Sequence, residues 1–155
     1  MSMGAYCLRR VQTIGPEETA RAAAQRMQAT GVGCLVVTEA GRPVGIVTDR
    51  DVALGVLRDD RDAAALPVRA VMASPVVTVG AHASLGEAVK TLRKSALRRL
   101  VVVDEGQAAV GVFAADDLLR LIATELGDLG EALRVQLGRE AAPRSPGEEE
   151  ELGHA

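Results

Sequence analysis

Two tandem β-α-β-β-α repeats, an α/β (α+β) fold whose small sheets pack face to face with pseudo-twofold symmetry, are what this sequence predicts. Three observations carry the prediction. The 155-residue chain aligns with itself, segment on segment and in order. Each segment passes from extended apolar runs to a 3.6-residue apolar period and back. Apolar residues make up 48% of the chain, and Tyr6 and Phe113 are its only aromatics. A core of Val, Leu, Ala and Ile suits strands covered by closely packed helices.

Sliding the chain until Thr13 meets Thr78 lays Val11-Gln12-Thr13-Ile14-Gly15 on Val76-Val77-Thr78-Val79-Gly80. The same shift sets Ala20, Ala23, Ala24 and Met27 on Leu85, Ala88, Val89 and Leu92. It sets Leu35-Val36-Val37 on Leu100-Val101-Val102, and Gly41 on Gly106. One extra residue in the second turn then brings Val44-Gly45 onto Val110-Gly111 and Asp51 onto Asp117. Ordered matches of residue and pattern, with a single gap, indicate an internal duplication.

Each copy opens with a short extended run, Val11 to Ile14 and Val76 to Val79. A helix follows, its apolar residues spaced i, i+3, i+4, i+7, with Thr19 and Ser84 near the starts to serve unpaired backbone amides. A buried strand comes next, Leu35 to Thr38 and Leu100 to Val103, then a Gly-containing hairpin turn. The returning strands are Val44 to Val47 and Val110 to Phe113, and a second helix begins near Asp49 and Ala115. The charged segment from Arg58 to Asp62 reads as a linker, and Val68 to Met72 as a short helical lead-in to the second copy. Beyond Asp117 the apolar pattern continues to Leu137, with Gly127 and Gly130 expected to bend or interrupt it. The reading is a first repeat at 5–60, a linker at 61–70, a second repeat at 71–126, a C-terminal helix at 127–140 and a disordered acidic tail at 141–155.

Charge excludes several functions. The formal net charge is −3, and the segment from Gly138 onward accounts for it, leaving the body neutral. A neutral body makes no electrostatic case for nucleic acid or an anionic membrane. The scarcity of aromatics argues against stacking of single-stranded bases. No apolar run reaches the roughly eighteen residues of a membrane span. Cys7 and Cys34 form no CxxC pair and read as reduced thiols, so a cytoplasmic location is expected. Cys7, Cys34 and His82 have no zinc-ligand spacing, so no metal is expected. No Ser-His-Asp set, P-loop or dinucleotide fingerprint is present, so no catalytic residues are assigned and an enzyme is not expected.

The segments Thr13-Ile-Gly-Pro-Glu-Glu-Thr, Cys34-Leu-Val-Val-Thr and Gly45-Ile-Val-Thr-Asp-Arg-Asp closely resemble a cystathionine-β-synthase (CBS) domain. So do Val71-Met-Ala-Ser-Pro-Val-Val-Thr-Val, Leu97-Arg-Arg-Leu-Val-Val-Val-Asp and Gly111-Val-Phe-Ala-Ala-Asp-Asp. The resemblance covers about residues 5 to 125. The first copy departs at its start, with Tyr6-Cys7 where the second has Val71-Met72. The resemblance implies two clefts between the copies, each able to take an adenine nucleotide. It assigns phosphate to Thr48 and ribose to Asp51, with Asp117 as ribose acceptor in the second copy. The other reading of Thr-x-x-Asp is a helix capping box, which needs no ligand. Ala114 replaces the hydroxyl residue in the second copy, and Asp116 beside it adds negative charge. By resemblance Thr13, Ile14, Thr78 and Val79 flank the purine; the alternative is ordinary strand residues at a cleft mouth. Arg98 and Arg99 replace Gly33 and Cys34 of the first copy. They either neutralise phosphate or form a solvated pair at a strand edge.

The leading functional expectation is a regulatory module that senses AMP, ADP, ATP or an S-adenosyl compound, with no resident cofactor. Its output would pass through conformation, homodimerisation or a regulated protein partner. The alternative is a structural dimerisation or interaction module with empty clefts.

Overall fold

The computed structural model describes residues 3, 11–58 and 60–140. The expectations for Tyr6, Cys7 and the tail from Ala141 lie outside these residues. The chain divides at Asp116 into two units.

The first unit holds two three-stranded sheets of identical order. In the first sheet β1 (Thr13–Ile14) runs parallel to β2 (Cys34–Glu39), which runs antiparallel to β3 (Arg42–Thr48). In the second, β4 (Thr78–Gly80) is parallel to β5 (Arg99–Val103), which is antiparallel to β6 (Ala109–Ala114). Helix α1 (Ala20–Thr30) connects β1 to β2, and α2 (Asp49–Leu57) follows β3. Helix α3 (Leu85–Ser95) connects β4 to β5, and α4 (Ala115–Glu140) follows β6.

The predicted caps are present. The Thr19 hydroxyl accepts from the Ala22 amide, and Ser84 forms a reciprocal box with Glu87. Both hairpins shift register at the same place, between Val37 and Thr38 and between Val102 and Val103. The turn differs from the sequence alignment in one respect. Gly41 has φ 79, and its conformational counterpart is Gln107 at φ 64, not Gly106. The extra residue therefore enters before Gln107.

Period-2 alternation sorts each central strand into two faces. Leu35 and Val37 join Ile14, Met27, Val47 and Val52 in the core beneath α1 and α2. Ala20 and Ala23 are fully buried there, and their small side chains let α1 lie close to the sheet. Val36 points the other way and clusters with Val101 and Val103 of β5, flanked by Val11, Val76 and Val112. The sheets thus pack face to face, as the repeat predicts.

Each copy is completed by the segment that precedes the other. Leu66 and Val68, ahead of the second copy, are buried in the first copy's core. The turn Val68–Ala70 is tied there by the Val68 amide donating to the Glu18 carbonyl at 2.8 Å. Ala73 then pairs with Ile46 as an added edge, with amide-to-carbonyl distances of 2.8 and 3.1 Å. In the same way the buried Met3 donates its amide to the Ala83 carbonyl at 2.9 Å. Met3 and Ala83 are the repeat counterparts of Val68 and Glu18. The close approach explains two glycines. A Cβ on Gly45 would meet Met72 Sδ at 2.7 Å and the Ala73 carbonyl at 3.0 Å. One on Gly55 would meet Val71 Cγ1 at 2.3 Å.

Among the described residues, the second unit is the remainder of α4. The helix is continuous through Gly127 and Gly130, contrary to the expected interruption. Two glycines cost about 1 kcal/mol each relative to Ala. Strong helix formers surround them, with i,i+3 ion pairs Asp117–Arg120 and Glu131–Arg134.

Candidate functional site

The strand register places the predicted residues on two different faces. Directly opposed residues in an antiparallel pair share a face. Cys34 opposes Thr48, and Val36 opposes Ile46, so Thr48 lies on the inter-sheet face with Val36. Thr13 is in register with Val36, and Thr78 with Val101, so both threonines share that face and are exposed. Arg99 opposes Ala114 on the corresponding face of the second sheet. Ile14 and Val79 fall on the helix-covered faces, at 2% and 8% exposure. Their side chains are core, so any contact with a ligand would be through backbone. Arg98 is exposed just before β5, and its carbonyl accepts from the Ala115 amide at 3.0 Å. Gly33 and Asp49 make the equivalent bond in the first copy, at 3.2 Å.

Thr48 and Asp51 form a complete capping box. The Thr48 hydroxyl accepts from the Asp51 amide at 3.2 Å. Asp51 Oδ2 accepts from the Thr48 amide at 2.9 Å and from the Thr48 hydroxyl at 2.7 Å. The hydroxyl's single proton is therefore directed at Asp51, and both side chains are half-buried. Asp51 Oδ1 accepts no hydrogen bond among the described residues. One carboxylate oxygen builds the helix start, and the other retains its lone pairs for an incoming donor. Asp117 stands at the same position of α4, where Ala114 supplies no hydroxyl; its carboxylate lies 3.9 Å from Arg120.

A polar clamp holds the first copy's β1 in place. Arg26 donates to the Thr13 carbonyl at 2.6 Å and to Glu18 Oε1 at 2.8 Å. Glu18 Oε2 accepts from the Gly15 amide at 2.7 Å. The Gly15 hydrogen bond holds the Glu18 carboxyl below the ordinary glutamate range; partial burial opposes this and Arg26 adds to it. The second copy has Ala83 and Thr91 at the positions of Glu18 and Arg26, so this clamp is confined to the first copy.

Sequence reasoning set Ala114 at the repeat position of Thr48 and Cys34 at that of Arg99, but missed that Cys34 pairs with Thr48 and Arg99 with Ala114 across the strands. The alternation of Cys34, Val36 and Thr38 carried that signal, once Val36 was known to face the other sheet. Among the described residues no three His, Cys, Asp or Glu side chains gather as metal ligands. No described helix is long and apolar enough to cross a membrane.

The sequence profile of the CBS domain matches residues 3–58 and again 68–124. The CBS domain-containing protein YhcV of Bacillus subtilis is 36% identical over 108 residues, covering 70% of this chain and 76% of that protein. The uncharacterized protein MK0525 of Methanopyrus kandleri is 34% identical over 122 residues. That match covers 78% of this chain and 62% of the relative, so the chain spans less than two thirds of it. Among solved structures, the CBS domain protein PAE2072 from Pyrobaculum aerophilum, complexed with AMP, has a TM-score of 0.69 at 26% identity. The likeness covers 83% of this chain and 99% of that one.

Proposed function

Since this chain belongs to the CBS-domain family, in two consecutive copies, we propose that it is a regulatory module binding an adenosine compound on its inter-sheet faces. The observation that carries the reading is the Thr48–Asp51 box, set at the end of a strand on the face shared with Val36. Asp51 Oδ1 is the acceptor for the ribose hydroxyls, and using it leaves the helix cap intact. The Thr48 hydroxyl reaches a phosphate oxygen by turning its proton away from Asp51. The exchange replaces one hydrogen bond to a charged acceptor with another, so its net cost is small. Thr13 and Thr78 border the purine, and Arg98 and Arg99 supply positive charge for phosphate. Asp117 is the ribose acceptor of the second copy by repeat alignment. The AMP complex of the Pyrobaculum protein supports this choice of ligand class.

Binding would be read out through assembly. Leu119, Ile122, Leu126, Leu129 and Leu133 recur every three or four residues along α4 and are 45–65% exposed. A second copy of the chain is the natural cover for such a stripe, and a regulated protein partner would then respond to the dimer. A cytoplasmic setting, without catalysis, fits the same reading.

A thermal-shift panel of adenosine, AMP, ADP, ATP and S-adenosylmethionine tests the proposal. A ligand at 100 times its dissociation constant stabilises by about 2.7 kcal/mol. An unchanged melting temperature across the panel would favour the second reading, a dimerisation module that binds no ligand.

A further inference from the structure

We infer that Arg99 directs ligands bearing two or more phosphates to the second copy's inter-sheet face, leaving the first copy's face to adenosine or a monophosphate. The inference rests on the adenosine reading above and adds the division of ligands between the copies.

The strand register carries it. The position opposite the last residue of the returning strand is Cys34 in the first copy, facing Thr48, and Arg99 in the second, facing Ala114. A thiol and hydroxyl pair is thus replaced by a guanidinium and methyl pair at one site of the fold. Arg99 is half-buried, yet its guanidinium makes no hydrogen bond or ion pair with any described residue. A partly desolvated cation without a counterion is costly, and an anionic ligand relieves that cost. The planar fork of Arg matches phosphate oxygens two at a time.

The first face offers less to a polyphosphate. Thr48 offers a single neutral hydroxyl, and strands β2 and β3 place no cation beside it. On the helices the charges run the other way, with Arg50 in the first copy and Asp116 in the second. Both of these are exposed, where solvent screening makes an ionic contact weak. The half-buried Arg99 therefore decides the preference.

Calorimetry with adenosine and ADP tests the inference on full-length protein. In the Asp51→Asn background the first face is weakened, and the tighter binding event belongs to the second copy. ADP is expected to bind that variant at least about tenfold more tightly than adenosine. Adding Arg99→Gln should abolish the preference, and Arg99→Lys should keep part of it. Cys34→Arg, made alone, should raise ADP affinity at the first face. An ADP-to-adenosine ratio indifferent to both Arg99→Gln and Cys34→Arg would overturn the division of ligands. Absence of binding by the wild-type chain to either compound would instead overturn the adenosine reading beneath it.

Discussion

Replacing Asp51 separates the structural work of its carboxylate from the proposed binding work. Asp51→Ala removes both bonds to Oδ2, from the Thr48 amide at 2.9 Å and the Thr48 hydroxyl at 2.7 Å. The Thr48 hydroxyl still accepts from the residue-51 amide, so only the reciprocal half of the box is lost, at about 0.5–2 kcal/mol for hydrogen bonds to a partly exposed carboxylate. Loss of a carboxylate in the first helical turn adds about 0.3–1 kcal/mol. The expected destabilisation is therefore about 1–3 kcal/mol. At roughly 2–4 °C per kcal/mol for a chain of this size, the melting temperature should fall by several degrees. Asp51→Asn retains an oxygen to accept from Thr48, so only the smaller charge contribution is lost. Its melting temperature should stay within about 4 °C of wild type. Binding should respond in the opposite proportion. A ribose hydroxyl bonded to a carboxylate is worth about 1.5–3 kcal/mol, so Asp51→Asn should weaken AMP by about tenfold to a hundredfold at the first face. Differential scanning fluorimetry and isothermal calorimetry on the same preparations give the two numbers. AMP affinity unchanged in a folded Asp51→Asn protein, at both binding events, would refute the assignment of Asp51 and leave the capping box as its whole role.

Gly55→Ala should destabilise despite the better helix propensity of Ala. The gain is about 1 kcal/mol, whereas a Cβ placed 2.3 Å from the stiff β-branched Val71 overpacks the site by about 1–3 kcal/mol; chemical denaturation reads the balance. Ala96 ends α3 at φ 53, where its counterpart Gly31 ends α1 at φ 65, so Ala96→Gly should stabilise by about 1 kcal/mol and Gly31→Ala should do the reverse. Glu18→Gln should flatten the acid side of the stability curve. The Glu18 carboxyl lies below the ordinary glutamate range, so the ionised wild-type group stabilises the fold above that range. The advantage is lost as pH falls through the depressed value, and the two proteins should converge in acid denaturation. Light scattering at tens of micromolar should show a homodimer, and truncation at Gly127 should shift it toward monomer by removing Leu129, Leu133 and Leu137.

The duplication, the order of the elements and the phase of the main apolar pattern are written in the sequence by itself. They depend on local periodicity and capping, which act within a few residues of chain. Thr19, Thr48 and Ser84 could be named as helix starts for that reason, and the Thr48–Asp51 box could be named as a candidate before any face was known. Three matters depended on contacts between distant segments. The exchange of lead-ins, with Val68 in the first copy's core and Met3 bonded to Ala83, is invisible to a pattern that treats each copy as closed. The need for glycine at 45 and 55 follows from that exchange, because it is Met72, Ala73 and Val71 that crowd them. The division of the site residues also required the packed pair of sheets. Alternation shows that Thr13 and Ile14 face opposite ways, but only the contact of Val36 with Val101 and Val103 decides which way is the cleft and which is the core. A strand has two equivalent faces until something packs on one of them.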